Sequence, residues 1–413
     1  MAGSSIPASV TVSKYRWVIL IICWMAFVVA YMQRLSIGPL APFLIENLRI
    51  SKAQVGLFAS ASAFGYMLTT IPAGWFVDRF GPRLSLLFGE VFGGIFIILM
   101  FTVNSFPMGI AFMALAGLGM GCLSPATTKA VLLWFPVKER AAAMGFKQTA
   151  VNVGGIITAS ALPALALATS WHYGFLSIGV IAFVIGIVSF LLYRQPKEVV
   201  SATPAAVTSP AIRRVPLREI LNSRDLWLVL FTCFFVAVVE FAAMAYFVLY
   251  LQDILLFAVV AAGFFLALVE AGGAFGKPIS GIISDRLFGG GRRTIYILMC
   301  VFMVLTSLAF AFLPLGASKW ILVPLCLFFG FAAIGWGGIA LTLVSEFAGK
   351  EAAGTVSAMS SVFVMLGNVV GPPLFGYIVD TSGSYRIAWQ FLAAMGLVGM
   401  VLLFFVRESR RRI

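Results

Sequence analysis

Long apolar runs separated by short polar turns make up almost the whole chain. A helix needs roughly 20 apolar residues to cross a bilayer, and each of twelve runs is long enough to do so. The runs lie near residues 17–44, 53–77, 84–103, 108–134, 141–167, 174–193, 227–251, 258–283, 294–313, 320–343, 354–379 and 388–406. Short turns make consecutive helices antiparallel neighbours. The pattern therefore predicts an all-α polytopic membrane protein with twelve transmembrane helices.

The longest polar interruption follows the sixth apolar run. It spans residues 194–226 and contains several prolines among small and basic residues, a composition typical of a flexible linker. We therefore expect an N-terminal six-helix bundle at 1–193, a linker at 194–226 and a C-terminal six-helix bundle at 227–413.

Composition excludes a soluble protein. The 413 residues are 62% hydrophobic and only 10% charged, with a mean hydropathy of +1.06, whereas a soluble globular domain carries roughly a quarter charged residues. The five cysteines lie inside apolar runs without metal-ligand spacing. We expect no disulfide framework, no metal site and no cofactor.

The net charge of +13 is distributed unevenly. Most Lys and Arg residues fall in the termini, the linker and the turns on one side of the predicted bundle, and positive loops mark the cytoplasmic side. Both termini and the linker are therefore expected in the cytoplasm, with the protein in a bacterial inner membrane. The basic tail and the linker arginines therefore need no further partner, with contact to anionic lipid as the alternative, and nucleic acid is not expected as a partner.

A charged turn occurs twice, about half the chain apart. Residues 74–83 read GWFVDRFGPR, and residues 281–289 read GIISDRLFG and are followed by two arginines. This repeat resembles the loops after the second and eighth helices of Major Facilitator Superfamily transporters, which implies two pseudo-symmetric six-helix bundles. The resemblance also implies that the charged residues of both turns are gating residues, namely Asp78, Arg79, Arg83, Asp285, Arg286 and Arg292.

Two further stretches resemble organic-anion members of that superfamily. Residues 134–140, WFPVKER, are similar to the loop between helices four and five. Arg34 in the stretch YMQRLS resembles the helix-one arginine that contacts the substrate anion. Proton-coupled sugar-acid members often have an aspartate before this arginine and a glutamate in helix four. Gln33 and Met120 stand at those positions here, so the coupling mechanism cannot be copied from them.

Lys277 is a second candidate ligand for an anion. Its stretch, FGKPISG, resembles the helix-eight position of oxalate and monocarboxylate transporters, where a basic residue before proline binds the carboxylate. Glu270 is seven residues earlier, on nearly the same helix face but roughly 10 Å away. The two side chains are therefore expected to line one cavity without a direct pair. The alternative for Lys277 is a side chain that extends to the cytoplasmic interface.

Other polar and aromatic residues in the apolar runs complete the predicted substrate site. An ionisable group in hydrocarbon costs at least roughly 2.5–3.5 kcal/mol, so each one requires a partner or a wet cavity. Glu240 and Glu270 are candidate proton carriers, with fixed ion pairs to lysine as the alternative. The further substrate-binding candidates are Lys147, Gln148, Lys129, Tyr31, Tyr66, Asn152, Trp336 and Asn368.

These features predict a secondary transporter, not an enzyme. We expect a monomer that moves a small organic anion, most simply a carboxylate, by alternating access, coupled to protons or to a counter-anion. Three alternatives remain open: a porter of nitrate or another inorganic anion, proton-driven drug efflux, and a transporter-like sensor that moves no solute.

Overall fold

The computed structural model describes residues 14–195 and 222–407. The ends of the chain and 196–221, most of the predicted linker, lie outside the described residues, so the division into two bundles and a linker stays a prediction. Thirteen α-helices are described: α1 Arg16–Leu35, α2 Ile37–Leu48, α3 Lys52–Leu99, α4 Phe106–Met120, α5 Leu123–Trp134, α6 Val137–Ala168, α7 Trp171–Leu192, α8 Arg224–Asp253, α9 Val259–Leu287, α10 Arg292–Ala311, α11 Lys319–Ala333, α12 Gly337–Ser382 and α13 Tyr385–Phe404.

Within the described residues, eleven helical segments are long and apolar enough to cross a membrane. The twelfth predicted span is the first part of α3, which is less apolar. It ends at Gly81, whose φ of 78° breaks the helix. Glycine tolerates this left-handed backbone, and the fixed φ of Pro82 suits the first turn of the next helix. The prediction of an all-α polytopic membrane protein is confirmed.

Three of these spans are interrupted near their middle. The breaks lie at Ser36 between α1 and α2, at 121–122 between α4 and α5, and at 334–336 between α11 and α12. Irregular backbone at membrane depth is tolerated where it is buried in protein or lines a cavity. Interrupted helices are therefore expected to border the functional site.

Helices from both halves of the chain share one large buried core, which includes residues from α1, α2, α3, α8, α9 and α12. Hydrogen bonds and an ion pair join the two halves at the end of the bundle opposite the two charged turns, which we call the outer end. There Asp380 of α12 accepts hydrogen bonds from the backbone N–H groups of Lys52 and Ala53, at 3.1 and 2.8 Å. A carboxylate at a helix N-terminus satisfies unpaired donors and complements the helix dipole.

Lys52 adds a second tie at the outer end. Its ammonium lies 2.8 Å from the carboxylate of Asp253, at the end of α8, and 4.6 Å from the ring centroid of Tyr385. The Tyr385 hydroxyl also donates to Asp253, at 2.9 Å. We call Lys52, Asp253 and Asp380 the outer latch, because together they hold the start of α3 against α8 and α12.

The two charged turns occupy the other end of the bundle. Asp78 pairs with Lys129 of α5 at 2.7 Å, within the first half of the chain. Arg292 pairs with Asp285 at 2.6 Å and with Glu346 at 3.5 Å, within the second half. These ion pairs each stay inside one half, whereas the Lys52–Asp253 pair of the outer latch joins the two halves.

Candidate functional site

Arg34 lies just before the break between α1 and α2 and is surrounded by rings. Its guanidinium carbon is 4.7 Å from the ring centroid of Phe241, 5.5 Å from that of Tyr66 and 5.7 Å from that of Tyr31. One Nη donates to the sulfur of Met365 at 3.4 Å, and sulfur is a weak acceptor. Among the described residues, Nε of Arg34 has no hydrogen-bond partner. The guanidinium therefore retains unused capacity for an anion.

Two small cavities meet at Arg34. The first cavity is lined by residues that include Phe241, Met244 and Asn368, and it leaves about 20 Å³ for the centres of water-sized molecules. The second is lined on its far side by residues of α5 and by Tyr31 and Tyr66, and leaves about 10 Å³. A single water needs roughly 10–15 Å³ on this measure, so an organic anion requires the site to open.

Asn152, halfway along α6, bridges two charged residues of α9. Its amide Nδ2 donates to a carboxylate oxygen of Glu270 at 3.1 Å and to the backbone carbonyl of the same residue at 3.1 Å. Its Oδ1 accepts a hydrogen bond from the ammonium of Lys277 at 2.8 Å. Sequence spacing alone puts Glu270 and Lys277 too far apart to pair, and the amide spans the distance between them.

Gly155 allows Glu270 to reach α6. A Cβ atom at this position would lie 2.4 Å from the carboxylate carbon of Glu270, which is closer than non-bonded atoms pack. Glu270 is buried, as is Asn152. The sequence of α6 thus combines a bridging amide with a glycine three residues later, less than one turn away, and the carboxylate occupies the resulting space.

Glu240 of α8 stands on the other side of the same cluster. One carboxylate oxygen accepts a hydrogen bond from Nε1 of Trp336 at 2.9 Å, and Trp336 lies at the break between α11 and α12. Glu240 is within electrostatic range of both Lys277 and Arg34. The structure therefore brings two bases and two acids from both halves of the chain into one polar cluster: Arg34, Lys277, Glu240 and Glu270.

Lys147 is buried within the first half of the chain, apart from this cluster. Its ammonium donates to the hydroxyls of Thr127 and Thr128 at 3.3 Å and lies 4.3 Å from the ring centroid of Phe27. Phe27 also lines the second cavity next to Arg34. Gln148, by contrast, is exposed on α6, away from the polar cluster.

Lys129 and the charged turns lie apart from the cluster. Lys129 binds the Asp78 carboxylate and the carbonyl of Val77, at 2.7 and 3.1 Å, so in this conformation it serves the turn and not the cavity. Arg83 donates to the carbonyl of Phe190 at 2.7 Å, and the Arg79 guanidinium lies 5.5 Å from the ring centroid of Trp75. Arg286 is exposed. The gating roles stay predictions.

Several residues of the site were missed in the sequence. Phe241 and Met365, which contact Arg34, look like any other apolar residue of a membrane span. Asp253 and Asp380 of the outer latch carry a clearer signal, because each is an acid at the outer end of an apolar run. Acids contribute little to topology, so their presence there indicates a partner.

The chain is similar to known membrane proteins over nearly its full length. It is 26% identical to the hexuronate transporter of Bacillus subtilis (strain 168) over 409 residues, covering 96% of each protein. It is also 26% identical over 408 residues to a probable sulfoacetate transporter of Cupriavidus necator, covering 95% of this chain and 94% of that one.

A solved structure shares the fold. The inward-facing, occupied form of a bacterial homologue of the human lysosomal transporter Spinster superposes with a TM-score of 0.80 at 18% identity, over 95% of this chain and 97% of that one. The family model of the Major Facilitator Superfamily matches residues 23–372. The chain belongs to the Major Facilitator Superfamily and is thus a membrane transport protein, not an enzyme.

Proposed function

We propose that the protein is a proton-coupled symporter of a small organic anion. The observation that carries this proposal is the guanidinium of Arg34, which faces two cavities and has no acidic partner among the described residues. Arginine is always charged, and its planar fork matches a carboxylate or a sulfonate. An anion that reaches this position replaces the weak contact to Met365 with charge-assisted hydrogen bonds.

The charge of the polar cluster supports coupling to protons. With both acids ionised, Glu240 and Glu270 balance Arg34 and Lys277, and an added anion would leave the cluster with net negative charge. Protonation of one acid removes that excess. In a site of low dielectric constant, uncompensated charge is costly, so the anion and one proton bind more favourably together than separately. This mutual dependence in binding supports symport, because the carrier then binds the anion and the proton together.

The relatives support an organic acid as substrate. One is named for hexuronate and another for sulfoacetate, and both substrates carry an anionic group that suits Arg34. We propose a site near the bilayer midplane that alternates between the two sides as the bundles move. In this proposal the charged turns and Lys129 gate the cytoplasmic end, and both termini lie in the cytoplasm of a bacterial cell.

The coupling role of Glu270 is tested in proteoliposomes. Radiolabelled galacturonate, sulfoacetate and butyrate are offered first, and the anion that the wild type accumulates fastest is used afterwards. Glu270→Gln should retain exchange of this anion at equal pH, because the amide still bonds to Asn152. Accumulation of the anion driven by an inward proton gradient should fall at least tenfold in this variant, because the amide takes up no proton.

Glu46→Gln is the matched control, since Glu46 is exposed on α2 and lines neither cavity. This variant should accumulate the anion as the wild type does. Proton-driven accumulation that survives in both Glu270→Gln and Glu240→Gln would rule out coupling through these acids. Binding without any measurable flux would instead favour the sensor.

A further inference from the structure

The surroundings of Arg34 indicate the chemistry of the uncharged part of its ligand, which we call the body, as well as the charge of the ligand. Three aromatic rings lie within 6 Å of the guanidinium carbon, contributed by α1, α3 and α8. The thioether of Met365 closes a further side. An anion on this fork therefore has its remaining atoms mainly against ring surfaces and the thioether, and the hydroxyls of the two tyrosines are the hydrogen-bonding groups of these rings.

The cavity walls extend this apolar environment. In the first cavity Asn368 is the one polar side chain besides Arg34 among the described lining residues. In the second cavity the polar lining beyond Arg34 consists of two tyrosines and Ser124, and Met120 and Leu123 lie beside them. A sugar acid with four or five hydroxyl groups would find few partners on these walls.

The neighbouring polar cluster does not supply the missing partners. The amide of Asn152 is used at both ends, by Glu270 and by Lys277, and the indole N–H of Trp336 is used by Glu240. Substrate hydroxyls would have to break these bonds before forming their own. The cluster is suited to balancing charge and not to recognising a polyol chain by hydrogen bonds.

We propose that the transported anion is a monocarboxylate with an apolar or aromatic body and few or no hydroxyl groups. The inference rests on the proposed role of Arg34 in binding the substrate and narrows the class of organic anions that it binds. A hydroxyl buried without a partner loses its bonds to water and gains none, and that loss repeats for each hydroxyl of a sugar acid. A single carboxylate suffices, because Arg34 is the one charged side chain among the described residues that line the two cavities.

Matched pairs of anions test this proposal by isothermal titration calorimetry on the purified full-length protein. Hexanoate and gluconate are six-carbon monocarboxylates with no hydroxyl and with five. Benzoate and quinate are ring carboxylates with no hydroxyl and with four. Hexanoate and benzoate should each bind about 100-fold more tightly than their hydroxylated partners. Arg34→Ala should abolish binding of both, which separates site binding from partition into the micelle.

Each other outcome has a definite meaning. Equal or tighter binding of gluconate, lost in Arg34→Ala, would overturn the apolar-body proposal and leave organic-anion transport through Arg34 standing. Failure of hexanoate and benzoate to bind would overturn it as well, and uptake of galacturonate or sulfoacetate would then decide the proposed function. Hexanoate binding that persists in Arg34→Ala would contradict both proposals.

A wall substitution tests the physical reason. Met120→Gln places an amide on the second cavity and should narrow the hexanoate-to-gluconate ratio several-fold. Met25→Gln is the matched control, because Met25 is 40% exposed on α1 and lines neither cavity. An unchanged ratio in a folded Met120→Gln protein would contradict the role of this wall. If that variant does not fold, the wild-type ratios still decide the proposal.

Discussion

At the residue scale, Asn152 holds the polar cluster together by using both ends of one side-chain amide. Its donor end is committed to Glu270 and its acceptor end to Lys277. An amide is well suited to this position because it bonds to an acid and a base at once and carries no charge of its own. A carboxylate there would add a third negative charge beside Glu240 and Glu270.

Asn152→Ala should therefore weaken both the fold and the coupling. Removing the amide leaves a buried acid and an amine without one partner each, which costs about 1–3 kcal/mol. The thermal unfolding midpoint should fall, and proton-driven accumulation should fall more than exchange. Asn47→Ala is the control, because Asn47 is exposed and its side chain bonds to the carbonyl of Phe43 one turn earlier on the same helix. Equal midpoints for the two variants would refute the bridging role.

The same residues show how much of the site could be predicted from the sequence. Arg34, Glu270 and Lys277 were identifiable because a charge in an apolar run is expensive and so indicates a function. Lys129 has the same signal, yet the structure places it beside Asp78. Depth along a helix does not reveal which face the residue occupies. Phe241 and Met365 carried no signal, because an aromatic or a methionine is common in any membrane span.

At the element scale, the outer latch determines how α3 meets α12. The cap that Asp380 places on the N-terminus of α3 joins segments more than 300 residues apart. Nearby, the Ser60 hydroxyl donates to the carbonyl of Val369 at 2.5 Å, so α3 and α12 also touch deeper in the bundle. Opening of the outer end requires all these contacts to separate, because each of them joins α3 directly to α8 or α12.

Asp380→Ala should favour the form that is open at the outer end. The Asp380 carboxylate adds two hydrogen bonds to a helix N-terminus that Ser51 also caps. Their loss costs about 0.5–2 kcal/mol, which corresponds to a shift of roughly 2- to 30-fold in the conformational equilibrium. A cysteine at position 60, where the serine is 6% exposed, reports the opening by its reaction rate with an impermeant maleimide. The five native cysteines are buried, so the background is low.

Asp285→Ala at the opposite end of the bundle is the matched control for this labelling. Asp285 pairs with Arg292 inside one half of the chain, so its loss does not release the outer latch. The labelling rate at position 60 should not exceed that of the protein that carries only the cysteine at position 60. A faster rate in this control, or an unchanged rate in Asp380→Ala, would show that the outer latch does not limit opening.

At the scale of the whole molecule, apolar length and loop charge were enough for the helix count, because a bilayer leaves the backbone few alternatives to helix. They were not enough for the contacts between halves. Asp380 meets Lys52, and Asn152 meets Glu270, only after the two halves of the chain have packed. Such pairings leave no periodic pattern in the sequence. They also lack a repeat like that of the charged turns, so only the structure shows them.

The acids and bases of the polar cluster depend on one another through charge, and a double-mutant cycle of Lys277 and Glu270 on α9 measures this dependence. Lys277→Met leaves Glu240 and Glu270 without their shared cation. It should lower the free energy of unfolding by about 1–3 kcal/mol, the cost of leaving a buried polar group without its partner, since Lys277 is only partly buried and reaches Glu270 through the Asn152 amide. Adding Glu270→Met should restore more than 1 kcal/mol, because one unmatched acid is removed with the base. The double variant should remain unable to accumulate anion against a gradient, since its proton carrier is gone. Strictly additive losses in thermal unfolding would mean that Lys277 and Glu270 act independently, and would remove the electrostatic basis for coupling the anion to the proton.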